Sequence, residues 1–196
     1  MSNIFRYNFN ISKADRQRIH KHKAFLVLFT GLSCSGKSSI ANALELKLNH
    51  LNVSTYTLDG DNIRLGISND LGFSAEDRTE NVRRIAEIGN LFIDAGVVTL
   101  ACFVSPYIKD RDNVKKIVGH DNYIEIFVNT SLEECERRDT KGLYKKARKG
   151  EIKNMTGISA PYEIPVSPDL EIDTVKDSID KSVDKIFKLL EKKLYE

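Results

Sequence analysis

Long apolar runs are missing from this chain of 196 residues. The best of them, AFLVLFTGL, falls well short of the roughly 20 residues that a membrane helix needs. The amino terminus, MSNIFRYNFNISKADRQRIHKHK, meets charge before any hydrophobic stretch, which speaks against a signal peptide. Cysteine is scarce. Cys34, Cys102 and Cys135 form an odd set without a CxxC pair, which excludes a disulfide scaffold and suits a reducing cytoplasm. The four histidines are scattered, and His20 and His22 have no third ligand beside them, so no structural metal is expected. Four prolines and eleven glycines exclude a collagen-like or proline-rich disordered chain. With 30 basic and 28 acidic residues the net charge is only +2. Neither a long basic stripe nor repeated aromatics appears, so neither nucleic acid nor a membrane is expected as a partner.

What is present is enough for one sizeable core. Residues 1–23 form a polar arm with a short basic helical stretch at 15–22. That stretch packs beside the nucleotide pocket or a partner subunit, or is simply solvated. Residues 24–196 form the domain. Ala24 to Thr30 (AFLVLFT) is apolar throughout, as in a strand buried on both faces. Further strands are expected at 53–58, 97–104, 123–128 and 170–172. The segment 74–95 has the period of a helix, with Val82, Ile85, Ile88, Leu91 and Phe92 on one buried stripe and Ser74 with Asp77 as a loose capping box. A last amphipathic helix is expected over 175–194, with Val175, Ile179, Val183, Ile186, Leu190 and Leu194 facing one way. Strands that alternate with helices and are apolar throughout need helices on both sheet faces. The expected fold is therefore α/β: a three-layer α/β/α sandwich around a mainly parallel sheet. Residues 141–168 break the pattern with many lysines and three glycines, too long for an ordinary connection. They suggest a lid.

Gly31-Leu32-Ser33-Cys34-Ser35-Gly36-Lys37-Ser38, followed by Ser39, satisfies GxxxxGKS between a buried strand and a helix. In that context the backbone N–H groups and the helix amino terminus cradle phosphates. Lys37 reaches the terminal phosphates, and the Ser38 hydroxyl is a candidate Mg²⁺ ligand. The fold is thus expected to be that of the P-loop containing nucleoside triphosphate hydrolases. A switch GTPase would need NKxD, whereas strand four ends Val128-Asn129-Thr130-Ser131. A motor or transport ATPase would carry a carboxylate after strand three, which instead ends Phe103-Val104-Ser105-Pro106. The suitable carboxylates, Asp59 and Asp61, follow strand two, where they can face an acceptor across the nucleotide. That is the arrangement of a kinase.

Arg64, Arg78, Asn81, Arg83 and Arg84 follow, with Phe73 among them. Arginines opposite a phosphate loop suit an anionic acceptor, because guanidinium groups hold phosphate or sulfate with two hydrogen bonds. Alternatively they are surface charges paired with Glu76, Asp77, Glu80 and Glu87. Phe73 is either core or a surface on which a base stacks.

The ordered segments GLSCSGKSS, LDGDNIRLGISNDLGFS, ENVRRIAEIGNLFIDAG, FVSPYIKDRD, CERRDTKGLYKKARKGEIKNMTG and APYEIPVSPDLEIDT resemble those of the adenylylsulfate kinase (APS kinase) family. The resemblance implies transfer of the ATP γ-phosphoryl group to the 3′-hydroxyl of adenosine 5′-phosphosulfate (APS). The products are ADP and 3′-phosphoadenosine 5′-phosphosulfate, for sulfate assimilation or a specialised sulfation pathway. It also implies Mg²⁺ held near Ser38 and Asp59, Asp61 as general base, and a cytoplasmic homodimer. Acceptor-binding residues carried over are Arg64, Phe73, Arg78 and Asn81, and Ser105 matches a serine that some members phosphorylate. Lys141, Lys145 and Lys146 belong to the implied lid, and Lys145 or Lys146 is expected to reach a ligand.

Two positions depart from the family pattern. Cys34 replaces the middle glycine of GLSGAGK or GLSGSGK, so a left-handed backbone there would be strained. Cys34 is either a tolerated small residue or, as a thiol beside a helix amino terminus, a point of oxidation sensitivity. Met155 replaces the phenylalanine of KxFTG that stacks on the acceptor's adenine. It offers a softer wall and hence weaker acceptor binding.

Overall fold

The computed structural model describes residues 3–5 and 7–195; residues 1, 2 and 6 of the expected arm, and residue 196, lie outside it. The strands are β1 (Leu26–Thr30), β2 (Thr55–Asp59), β3 (Val98–Cys102), β4 (Tyr123–Asn129) and β5 (Leu170–Asp173). The helices are α1 (Lys13–His20), α2 (Lys37–His50), α3 (Gly60–Arg64), α4 (Ala75–Asp94), α5 (Ile108–Val118), α6 (Leu132–Arg138), α7 (Leu143–Arg148) and α8 (Ile179–Tyr195). The five strands form one parallel sheet in the order β2-β3-β1-β4-β5.

The continuous apolar run of β1 has a direct cause. Phe25, Val27 and Phe29 pack with Ile40, Leu44 and Leu48 of α2 and Ile186, Leu190 and Leu194 of α8. Leu26 and Leu28 point the other way, into Val82 and Ile85 of α4 and Val114 and Val118 of α5. Each fully buried side chain of this kind contributes about 1.5–3 kcal/mol. The mid-helix Gly89 is explained by the same packing, since a Cβ there would lie 2.4 Å from Leu26 Cδ1.

Several boundaries differ from expectation. β1 starts two residues late, β3 spans only Val98–Cys102, and the last helix begins at Ile179. Val175 sits in the preceding turn at 62% exposure, and Ile179 is also exposed. Leu91 is 71% exposed: the buried face of α4 runs through Val82, Ile85, Ala86, Gly89 and Ile93, and Leu91 lies on the far side of the helix from it. The helix α5 is not expected from KDRDNVKKIV, whose charges hide the buried positions Val114 and Val118.

The arm helix α1 is closed by a full Ser12–Asp15 capping box. It packs beside the end of α4, with Arg16 paired to Asp94 at 2.9 Å and His20 bonded to Ser54 at 2.8 Å. Ser54 precedes β2 and Asp94 ends α4, whereas the phosphate loop follows β1. The basic stretch therefore does not lie beside the nucleotide pocket. His20 and His22 gain no third ligand, since no group of three metal-ligating side chains occurs among the described residues. No helix among the described residues is long and apolar enough to cross a membrane.

The segment 141–168 folds over the end of the sheet. It contains α7 and a small core of its own, in which Tyr144, Ala147 and Met155 pack with Cys135 and against Leu32 and Cys34 of the phosphate loop.

Candidate active site

At the carboxyl ends of β1, β2 and β3, and under the segment 141–168, lies a cavity of about 590 Å³. Its floor is the phosphate loop. Gly31 is required there: its φ is +151°, and a Cβ would meet the Val128 carbonyl oxygen at 2.5 Å. The loop is held from behind through one carbonyl. Ser35 O accepts from Thr130 Oγ1 (3.1 Å), Thr174 Oγ1 (3.1 Å) and Arg138 Nη1 (3.3 Å). None of these three supports is part of the loop motif.

Lys37 Nζ donates to Gly31 O (3.0 Å), Leu32 O (2.6 Å) and Ser35 Oγ (3.3 Å). Burial pushes the ammonium down to about 8, because the charged form loses its water. Cys34 has a left-handed φ of 61°, the strained conformation that the departure from glycine raised. Ser33, Cys34, Lys37 and Ser38 line the cavity; Gly31, Leu32, Ser35, Gly36 and Ser39 do not.

Asp59 uses both carboxylate oxygens. Oδ2 accepts from Ser38 Oγ at 2.7 Å, and Oδ1 accepts the Asp61 N–H at 3.0 Å, capping α3. The Asp61 side chain extends into the cavity and forms an ion pair with Lys141 of the overlying segment. Lys145 and Lys146 do not line the cavity.

On the opposite wall stand Arg64, Phe73, Arg78 and Asn81. The Phe73 ring is 57% exposed, so it is not core. The guanidinium carbons of Arg64 and Arg78 lie 4.5 Å and 5.5 Å from its centroid. Arg64 Nη1 donates to the Gly72 carbonyl at 2.7 Å. Arg78 Nε donates to Phe73 O at 3.2 Å, and its Nη2 donates across the cavity to Asn154 O at 2.8 Å. Desolvation lowers both arginine pKa values from the ordinary range. Arg83 and Arg84 take the other course: Arg83 pairs with Glu80 at 2.7 Å, and Arg84 with Asp70 at 2.6 Å and Glu80 at 2.9 Å. They are surface charges.

Three buried polar atoms in the cavity wall have no hydrogen-bond partner: Asn81 Oδ1, Ser105 Oγ and Thr156 Oγ1. Orphans of that kind are rare in a folded interior and mark where a ligand or water supplies the bond. Thr156 was not singled out from the sequence, although it adjoins Met155, which is 7% exposed and also lines the cavity. A second connection missed by sequence runs from Tyr144, whose hydroxyl donates to Ser33 O at 3.0 Å and ties the cover to the phosphate loop.

The combination is a phosphate loop, a carboxylate at the centre and a cationic, aromatic wall facing it. Comparisons with known proteins agree with that arrangement. Residues 23–173 match the family model described as Adenylylsulphate kinase. The adenylyl-sulfate kinase of Oceanobacillus iheyensis is 53% identical over 194 residues, covering 99% of this chain and 98% of its own. That of Lactiplantibacillus plantarum is 53% identical over 188 residues, with 96% and 91% covered. Among solved structures, the Mycobacterium tuberculosis APS kinase in complex with AMPPNP and APS superposes with a TM-score of 0.83 at 45% identity, covering 86% of this chain and 98% of that one. A sugar kinase from Janibacter, at 18% identity and a TM-score of 0.57, shares the fold alone. On the family model and on relatives matched over nearly their whole length, this chain belongs to the adenylylsulphate kinase family.

Proposed function

We propose that this chain is an adenylyl-sulfate kinase that transfers the γ-phosphoryl group of ATP to the 3′-hydroxyl of APS. One observation carries the assignment: a single cavity joins the Lys37 loop to the Arg64–Phe73–Arg78–Asn81 wall, with Asp61 also lining it. A polyanion on one side and an anionic nucleotide on the other are what those groups recognise.

Little covalent chemistry is asked of the protein, since phosphoryl transfer depends on alignment and charge neutralisation. The loop N–H groups and Lys37 hold the donor phosphates. Arg64 and Arg78 hold the acceptor's anionic end, and Phe73 with Met155 supplies faces for its base. Asp61 orients the acceptor hydroxyl and takes its proton. The segment 141–168 serves as the lid and excludes water, with Lys141 above the reacting groups and Lys145 and Lys146 on its outer helix.

Ser38 Oγ and Asp59 Oδ2, two hard oxygen donors 2.7 Å apart beside the loop, fit Mg²⁺. When bound there, Mg²⁺ supplies neutralisation of phosphate charge. The three cysteines are free, which favours a cytoplasmic setting. A homodimer belongs to the same reading and is measurable by light scattering. So does Ser105 as a phosphorylation position, although that serine is buried at 2% exposure in the site as described. The function is tested by identifying the product of ATP, Mg²⁺ and APS. A 3′-phosphorylated, still-sulfated nucleotide supports it, and phosphorylation at any other position or unconsumed APS overturns it.

A further inference from the structure

Arg111 of α5 is 3% exposed and does not line the cavity. A buried guanidinium is tolerated only where its charge and its fork of donors are both satisfied. Here all three nitrogens are engaged. Nε pairs with Glu125 of β4 at 2.8 Å, Nη1 donates to Ser105 O at 2.7 Å, and Nη2 donates to Glu163 O at 2.8 Å.

The two carbonyls belong to different parts of the site. Ser105 forms cavity wall and has a φ of 41°, a left-handed conformation that a non-glycine residue keeps only when its surroundings hold it. Glu163 lies where the lid returns to the sheet. The same two segments are tied again by Glu163 N–H to Pro106 O at 2.8 Å and by Ile108 N–H to Glu163 Oε2 at 2.6 Å. Thr30, at the end of β1, donates to Val104 O at 2.7 Å, which leaves the Tyr162 hydroxyl to donate to Thr30 Oγ1 at 2.9 Å.

We infer that Arg111, anchored by Glu125, is a positioning residue for the acceptor site: its fork clamps the Ser105 wall and the trailing end of the lid into one arrangement. The bond from Arg78 to Asn154 O, beside Met155, ties the lid to the facing wall. With its trailing end clamped, the lid carries Asn154, Met155 and Thr156 to the cavity in register with Phe73 and Arg78. The inference rests on the cavity being the APS site. Lysine cannot replace the clamp, because one ammonium lacks the planar fork that reaches two carbonyls and a carboxylate together.

Two variants test it, with ATP and APS kinetics and thermal unfolding measured on each. Arg111→Lys keeps the charge opposite Glu125 and loses the fork. Arg111→Met/Glu125→Leu removes both charges without stranding either. Both are expected to unfold cooperatively, with the KM for APS raised about tenfold and the KM for ATP within about twofold of wild type. Folded variants whose two KM values rise together, or do not change, would reduce the pair to core packing and overturn the inference. Failure of both variants to fold would do the same. A wild-type protein that does not consume APS would instead remove the functional assignment on which the inference stands.

Discussion

Lys141 reaches from the segment over the cavity to the carboxylate of Asp61, so the group proposed to accept the acceptor's proton is paired with a cation. Both side chains are more than half exposed, at 60% and 68%, and such a pair contributes at most about 1 kcal/mol to stability. Its significance is therefore positional. Asp61→Asn is expected to lower kcat by about 10²–10⁴ with the ATP KM little changed, which steady-state kinetics checks. Lys141→Met is expected to leave the melting temperature nearly unchanged while lowering kcat/KM for APS about tenfold. A large loss of stability with normal kinetics would make the contact structural.

The buried Lys37 is expected to make ATP binding pH-dependent. Its ammonium sits at about 8 in the unliganded loop, well below the ordinary lysine range, because burial disfavours the charge. Bound phosphates favour the charged form and raise that value. Between the two values ATP binding therefore takes up a proton, and affinity falls as pH rises above about 8. Calorimetry in buffers of different ionisation enthalpy should show this uptake between about pH 8 and 9. Lys37→Met should abolish it together with activity.

Cys34 holds a left-handed backbone in the loop, a conformation that costs a non-glycine residue about 1–2 kcal/mol. Cys34→Gly is expected to raise stability by about 1 kcal/mol, read as a shift of roughly 2–4 °C in melting temperature. The thiol is partly exposed and lines the cavity. Mild peroxide is accordingly expected to inactivate the wild type and spare the glycine variant. Undiminished activity with Cys34 oxidised, shown by mass spectrometry, would contradict this.

Met155 presents a flexible thioether at the cavity where an aromatic ring would give a flatter wall. Met155→Phe is expected to lower the APS KM by about threefold or more, since stacking of a base on an aromatic ring is worth ~1–3 kcal/mol. Met155 also packs with Tyr144 and Cys135. A fall in melting temperature would register overpacking separately from the kinetic effect.

The parts of this molecule that sequence exposes are those coded locally. The phosphate loop lies within one strand–loop–helix unit, and β1 shows in five consecutive buried residues. Asp59 and Asp61 could be placed because Asp59 closes the next strand and Asp61 follows it by two residues. What escaped depends on partners far apart in the chain. The core of the lid is built from sparse residues, Tyr144, Ala147 and Met155, that become apolar contacts only against Leu32, Cys34 and Cys135. Arg111 sits in a charged segment and Glu125 is the lone charge of an apolar strand, and only the approach of α5 to β4 makes them a buried pair. Leu91 and Val175 fit an apolar spacing without being buried: Leu91 lies on the far side of α4 from the buried Gly89 and Ile93, Val175 precedes the start of α8, and both are exposed.

Whether the cavity accepts APS and ATP together is decided by the initial rate of ADP release with ATP and Mg²⁺, measured with and without APS. Release is expected to depend on APS, to saturate with it and to disappear in the Lys37→Met variant. ATP binding without APS-dependent ADP release would contradict that expectation.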